Sequence, residues 1–138
     1  MTTLEKSFTK TCLLVDDDDD DKEIFCLALE NVDPSIKCVT ASDGLEALAI
    51  LRSGNFVPDY VFLDLNMPKM DGKECLKEIR KQKHLHDVPV IIFSTSSAEK
   101  DTEETKALGA NSFITKPPLV SELAGKLSDI FNNHRKEN

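Results

Sequence analysis

Five short apolar runs, each followed by a stretch of helical periodicity, constrain the fold of this chain more than any other feature. The apolar runs are Thr11–Val15, Ile36–Ala41, Asp59–Leu63, Val88–Phe93 and Asn111–Thr115. The helical stretches are Asp20–Val32, Gly44–Ser53, Gly72–Gln82, Glu99–Leu108 and Val120–Asn132. The central runs are apolar on both faces, as expected when helices cover both sides of a parallel sheet. The alternation therefore predicts an α/β fold with five strands.

Capping residues support these boundaries. Ser42 or Asp43 is suited to begin the second helix, with Glu46 at the capping-box position relative to Asp43. Gly54 and Gly109 follow predicted helices, as helix-ending glycines do. Five β–α alternations joined by right-handed crossovers predict a doubly wound (βα)5 three-layer sandwich, with a parallel sheet of order 2-1-3-4-5 and flavodoxin-like architecture.

Composition excludes several classes of function. The chain has 138 residues, which fit one domain, and 17 basic against 25 acidic residues give a net charge of −8. That balance argues against nucleic-acid binding, which needs clustered Lys and Arg. No apolar run approaches the roughly 18 residues of a membrane span, and there is no secretion signal, so we expect a cytoplasmic protein without a membrane partner. The four cysteines lack zinc-ligand spacing.

Acidic residues stand at the ends of two predicted strands. In a sheet of order 2-1-3-4-5, ligands bind where the carboxyl ends of strands one and three meet. Strand one ends at Asp16 and Asp17, and strand three ends at Asp64, so these carboxylates should converge. Two unit charges about 4 Å apart repel by roughly 4 kcal/mol at an effective dielectric of about 20. The sequence therefore favours a Mg²⁺ or Mn²⁺ site.

The remaining aspartates of the run have a simpler interpretation. Asp19, Asp20 and Asp21 fit the first turn of a helix, where negative charge is favourable. An EF-hand is a poor fit, because Asp21 occupies the position of its glycine and Leu27 that of its late glutamate.

Two further polar residues stand at strand ends. Ser94 ends strand four and Lys116 ends strand five. Ser94 could simply cap a helix, and Lys116 could be a surface lysine before a proline turn. Together with three carboxylates they are typical of phosphoryl transfer, where a carboxylate accepts the phosphoryl group and cations neutralise its charge.

The segments "LLVDDD", "VFLDLNMPKMDG", "IIFSTSS" and "FITKPP" resemble the receiver domain of two-component response regulators, over Thr11 to Asn132. The resemblance implies that Asp64 accepts phosphoryl from a sensor histidine kinase or a histidine phosphotransfer protein. It implies Mg²⁺ as the cofactor. The implied ligands are the carboxylates of Asp17 and Asp64 and the backbone carbonyl of Asn66, with Asp16 holding a metal-bound water.

The resemblance also implies a switch. Lys116 would pair with Asp64 and then with the phosphoryl oxygens, Ser94 would move inward, and Phe113 would be the aromatic that turns. The downstream partner would bind the face formed by the fourth helix, fifth strand and fifth helix. The Lys116–Pro117 bond would be cis, and Pro68 and Gly72 would shape the turn into the third helix.

The chain departs from the family pattern in several places. The switch hydroxyl is Ser94 where Thr is more frequent, and Phe113 lacks a hydroxyl at its tip. Pro118 stands where a large apolar residue is usual. The fourth helix is unusually polar, and its expected apolar anchors are Ala98, Ala107 and Leu108.

These observations predict three segments: an N-terminal extension 1–10, a receiver domain 11–132 and a C-terminal tail 133–138. We expect a stand-alone receiver that is not an enzyme beyond its own phosphorylation and dephosphorylation, and that signals through protein contacts or a phosphorelay.

Three rival functions remain as alternatives. One is a binding module on the receiver fold that works without phosphorylation. Another is a haloacid-dehalogenase-like phosphohydrolase, whose D-x-D pattern is broken by Asn66. The third is an FMN carrier, disfavoured by the aspartates after strand one, because they would repel phosphate.

Overall fold

A computed structural model describes residues 8–134 of the chain, so most of the predicted N-terminal extension and of the C-terminal tail lies outside the described residues. The strands are β1 (Lys10–Val15), β2 (Ile36–Ala41), β3 (Tyr60–Leu63), β4 (Val90–Ser94) and β5 (Ser112–Thr115). The helices are α1 (Asp19–Val32), α2 (Gly44–Arg52), α3 (Gly72–Arg80), α4 (Glu99–Ala107) and α5 (Val120–Asn133). A short 3-10 turn, Lys83–Leu85, lies between α3 and β4.

The five strands form one parallel sheet of order β2-β1-β3-β4-β5, which confirms the predicted fold. Side chains alternate along β1 between two apolar cores. Leu13 and Val15 belong to the core beneath α2 and α3, whereas Cys12 and Leu14 belong to the core beneath α1 and α5. This alternation follows from the two-residue period of a strand. Within residues 8–134, no helix is both long and apolar enough to cross a bilayer.

Local chemistry explains the small differences from the predicted boundaries. Helix α1 begins at Asp19, one residue earlier than predicted, because the Asp18 carboxylate caps it by accepting a hydrogen bond from Asp21 N–H. Strand β4 begins at Val90, because Pro89 has no N–H to donate. Asp43, the second of the two candidates, caps α2, and the Glu46 carboxylate accepts a hydrogen bond from Ser42 N–H.

Helix α4 is not held by the apolar residues that the sequence predicted. Ala98 and Ala107 are exposed, and only Leu108 packs partly against the core. The inward face instead carries Asp101 and the buried Thr105, whose hydroxyl bonds back to the helix backbone. The predicted apolar anchors were wrong because a cation on α3 pairs with acidic residues of α4, so this face of α4 does not need apolar contacts.

That cation is Lys73 of α3. Its ammonium lies 2.7 Å from Asp101 Oδ1 and 3.1 Å from Glu104 Oε2. Asp101 also accepts a hydrogen bond from Ser96 Oγ at 2.6 Å. The pairing with Asp101 and Glu104 raises the pKa of Lys73, and the same contact, with help from Ser96, lowers the pKa of Asp101. Helix α4 is thus positioned largely by polar contacts to α3 and to the loop after β4.

We expect Lys73→Gln to accelerate amide hydrogen exchange in α4 by about two- to fivefold, because two partly exposed ion pairs are lost. Lys77→Gln is the matched control, since Lys77 is exposed on the same helix without an ion pair to the described residues. Exchange measured by mass spectrometry checks the effect. Equal protection of α4 in both variants would contradict the anchoring role of Lys73.

Candidate functional site

Three carboxylates from two strand ends meet at the carboxyl edge of the sheet. Asp16, Asp17 and Asp64 each offer an oxygen, and these atoms lie within 4.8 Å of one another. The hydrogen bonds of the sheet continue past the strand ends and fix the backbone of two of these aspartates. Asp16 N–H donates to Ala41 O, and Asp64 N–H donates to Val15 O. Asp16 and Asp64 are buried, whereas Asp17 is exposed. The convergence predicted from the strand order is present in the structure.

Lys116 extends over this cluster from the end of β5. Its Nζ lies 2.8 Å from Asp16 Oδ2, 2.7 Å from Asp21 Oδ2 and 3.3 Å from Asp64 Oδ2. The side chain of Lys116 is only 9% exposed. Burial alone would lower the pKa of Lys116, but the contacts with these carboxylates outweigh it and leave that pKa raised. The lysine is therefore held in its charged form.

The site remains strongly negative despite this lysine. Three carboxylates contact the Lys116 ammonium and a fourth, Asp17, belongs to the same cluster, so the acidic groups outnumber the one cation by four to one. Burial raises the pKa of Asp16 above its ordinary value, although Lys116 and a hydrogen bond from Asp18 N–H act in the opposite direction. Carboxylates this close are stable together only with further positive charge or with a proton.

The residues fit a hard divalent cation. All the candidate donors are oxygens, which Mg²⁺ and Mn²⁺ prefer. Asp16 Oδ2 is buried and, apart from its ion pair with Lys116, has no hydrogen-bond donor among the described residues. A cation between the carboxylates would satisfy this atom and relieve the repulsion.

A tight turn brings α3 against the back of Asp64. Gly72 N–H donates to Leu65 O at 2.9 Å, and a Cβ on Gly72 would lie 2.2 Å from Asp64 O. Upstream, Met70 N–H donates to Pro68 O, and Lys69 between them has a φ of 69°. A positive φ is uncommon outside glycine and costs on the order of 1 kcal/mol or more. The turn that contains Lys69 leads into α3, which begins at Gly72 against the backbone of Asp64.

The other predicted residues lie around this edge without joining the ion-pair network. The Ser94 side chain is buried at the end of β4, and its hydroxyl accepts a hydrogen bond from Ser96 N–H. The backbone carbonyl of Ser94 accepts a hydrogen bond from Lys116 N–H. Phe113 is half-buried and packs against the core beneath α2 and α3. Asn66 is exposed, and its N–H lies 3.3 Å from Asp64 Oδ1.

The expected cis bond between Lys116 and Pro117 was wrong. No peptide bond within residues 8–134 is cis, so this one is trans. The trans form is intrinsically favoured by about 0.5–1 kcal/mol even before proline. Pro118 is followed by Leu119, which caps α5 without a side-chain hydrogen bond and is 55% exposed.

Sequence reasoning missed two residues that shape the site region. Asp21 was assigned only a role at the helix N-terminus, yet it makes the shortest contact to Lys116. Arg80 donates to the carbonyl oxygens of Gly109, Leu85 and Val88, which ties α3 to the segments flanking β4. Asp21 lies four residues after Asp17, in the first turn of α1, but that position alone does not indicate a contact with Lys116. The partners of Arg80 become neighbours only in the folded chain.

Comparison with known proteins identifies the family. The family model for the response regulator receiver domain matches residues 12–128. Chemotaxis protein CheY-3 of Vibrio cholerae is 38% identical over 119 residues, covering 86% of this chain and 89% of that protein. The phosphorylated cyanobacterial phytochrome response regulator RcpA has a TM-score of 0.81 at 37% identity, covering 89% and 91% of the two chains.

A second solved structure is the Mn²⁺-bound form of Rcp1, a response regulator of Synechocystis. It has a TM-score of 0.80 at 29% identity and covers 94% of this chain and 97% of that one. The fold, the edge of acidic residues and these similarities agree. This chain belongs to the family of response regulator receiver domains.

Proposed function

We propose that this chain accepts a phosphoryl group on Asp64, in a Mg²⁺-dependent reaction, from a sensor histidine kinase or a histidine phosphotransfer protein. The single observation that carries the proposal is the meeting of Asp16, Asp17 and Asp64 beneath the Lys116 ammonium. RcpA, a relative of similar fold, has been solved in a phosphorylated form, and Rcp1 with Mn²⁺ bound.

The chemistry follows from the positions of the side chains. An oxygen of Asp64 attacks the phosphorus of the donor, the bond from phosphorus to the donor nitrogen or oxygen breaks, and an aspartyl phosphate forms. Lys116 lies within 3.3 Å of that carboxylate and is placed to pair with a phosphoryl oxygen. A divalent ion held by Asp17, Asp64 and the Asn66 carbonyl, with Asp16 nearby, would stabilise negative charge on the phosphoryl group.

Phosphorylation would then act through a switch. The phosphoryl group adds about −1.5 to −2 charge at Asp64, which favours contacts from Lys116 and from the Ser94 hydroxyl. Movement of Ser94 would open space into which the half-buried Phe113 would turn. The surface formed by α4, β5 and α5 would change, and a downstream protein would bind it. The polar anchoring of α4 suits such a shift, since few apolar contacts resist it.

The direct test uses the purified chain with acetyl phosphate and Mg²⁺. Intact-protein mass spectrometry should show the addition of one phosphoryl group, and a chelator should prevent it. A chain that stays unmodified under these conditions would contradict the proposal. Turnover of para-nitrophenyl phosphate would instead favour the phosphohydrolase alternative, and phosphotransfer from a panel of histidine kinases would identify the donor.

We expect Mg²⁺ to stabilise the wild-type chain and Asp17→Asn to remove about half of this effect or more. A ligand at 100 times its Kd stabilises the folded state by about 2.7 kcal/mol, whereas losing one of three carboxylates should weaken Mg²⁺ binding at least about tenfold. Thermal unfolding with and without Mg²⁺ measures both quantities. Asp20→Asn is the matched control, because Asp20 is exposed and contacts no charged group among the described residues. Equal Mg²⁺ responses in the two variants would refute the metal assignment.

A further inference from the structure

Asp21 makes a contact with Lys116 that its position in the sequence does not require. It lies in the first turn of α1, 95 residues before Lys116, and its Oδ2 accepts a hydrogen bond from Lys116 Nζ at 2.7 Å. The corresponding distance from Lys116 to Asp64 is 3.3 Å. The lysine ammonium is therefore closer to Asp21 than to the phosphoacceptor.

The ammonium of Lys116 has three N–H donors and one positive charge. In the structure it is shared among the carboxylates of Asp16, Asp21 and Asp64. A phosphoryl group on Asp64 brings three strong acceptor oxygens and further negative charge. For Lys116 to pair with that group, its ammonium has to lose the contact with either Asp16 or Asp21.

The burial of each carboxylate determines which of the two contacts with Lys116 is lost. Asp16 is fully buried and its second oxygen accepts a hydrogen bond from Asp18 N–H, so bulk water reaches it less easily than it reaches Asp21. The side chain of Asp21 is 31% exposed, so water can solvate it when the lysine leaves. Releasing Asp21 therefore costs less than releasing Asp16.

We propose that Asp21 is a positioning residue that holds Lys116 in the unphosphorylated chain and competes for it with the phosphoryl group. Phosphorylation transfers the lysine from Asp21 to a phosphoryl oxygen. The Asp21 carboxylate also adds negative charge beside the path of an anionic donor. Both effects slow phosphorylation, so Asp21 limits how readily Asp64 is modified. This inference rests on the proposed phosphorylation of Asp64.

The test compares Asp21→Asn with Asp20→Asn, which removes the same charge from the same helical turn without touching Lys116. With acetyl phosphate and Mg²⁺, we expect Asp21→Asn to be phosphorylated about fivefold faster than wild type, as removal of a nearby like charge and of a competing acceptor predicts. The Asp20→Asn rate should stay within about twofold of wild type. Asp21→Glu, which keeps the carboxylate, should return towards the wild-type rate.

A second measurement does not depend on phosphoryl transfer from a donor. Beryllofluoride with Mg²⁺ mimics the phosphoryl group on a carboxylate, and its affinity can be measured by fluorine NMR. We expect Asp21→Asn to bind it about fivefold more tightly than Asp20→Asn does, since Lys116 is then free to pair with it. This comparison also identifies a variant that has merely lost its fold, because such a variant would not bind.

The outcomes separate this inference from the proposed function. If wild type is phosphorylated but Asp21→Asn behaves like Asp20→Asn, or is slower than wild type, the role of Asp21 is overturned and the proposed function stands. If wild type takes up no phosphoryl group, both are overturned.

Discussion

Asp64→Asn is expected to reduce covalent phosphorylation by acetyl phosphate to background. An amide oxygen is a far weaker nucleophile than a carboxylate oxygen, and an aspartyl phosphate cannot form on asparagine. Phosphoryl incorporation measured by intact-protein mass spectrometry gives the result directly.

Asp20→Asn serves again as the charge-matched control and should be labelled like wild type. The variant Asp64→Asn should remain folded, because it removes one negative charge from a crowded site and keeps the side-chain volume. A folded Asp64→Asn chain that still incorporates phosphoryl at the wild-type rate would show that another residue is the acceptor.

Gly72→Ala is expected to destabilise the chain by about 3 kcal/mol or more and to slow phosphorylation severely. The added Cβ would lie 2.2 Å from Asp64 O and 2.7 Å from Leu65 Cα, both of them backbone atoms that cannot rotate away. The clash therefore pushes α3 from the sheet or displaces Asp64, and overpacking against backbone lies at the severe end of such costs. Thermal unfolding should show a fall in Tm of roughly 10 °C or more.

Gly125→Ala provides a control variant whose expected change in stability has the opposite sign. Gly125 lies within α5, and a Cβ added there would meet no atom within 4 Å other than its chain neighbours and the backbone of its own helix. Alanine should therefore stabilise the chain by about 0.5–1 kcal/mol, because glycine is the poorer helix former. A Gly72→Ala variant as stable as Gly125→Ala would contradict the close packing of α3 against Asp64.

The sequence was sufficient to predict the sheet and the meeting of the acidic residues. The alternation of strands and helices with right-handed crossovers favours this strand order, and the strand order brings Asp16, Asp17 and Asp64 to one edge. These features depend on regular geometry that repeats along the chain. Local patterns of apolar and capping residues therefore carried most of the information needed.

Features that depend on which side chains meet in space could not be predicted. The polar face of α4 is held by Lys73 of α3, and no pattern within α4 indicates that partner. The choice of Asp21 by Lys116 depends on the entry angle of α1, which the sequence does not specify. The bond before Pro117 is trans, not cis as expected. The sequence could not decide this, because before proline the two isomers differ by only about 0.5–1 kcal/mol.

The most direct measurement locates the phosphoryl group itself. Borohydride reduces an aspartyl phosphate to homoserine, so peptide mapping of the reduced, acetyl-phosphate-treated chain identifies the acceptor residue. We predict homoserine at position 64 only, dependent on Mg²⁺ during labelling. Homoserine at position 16 or 17, or stable phosphate on a serine or histidine instead, would contradict this account.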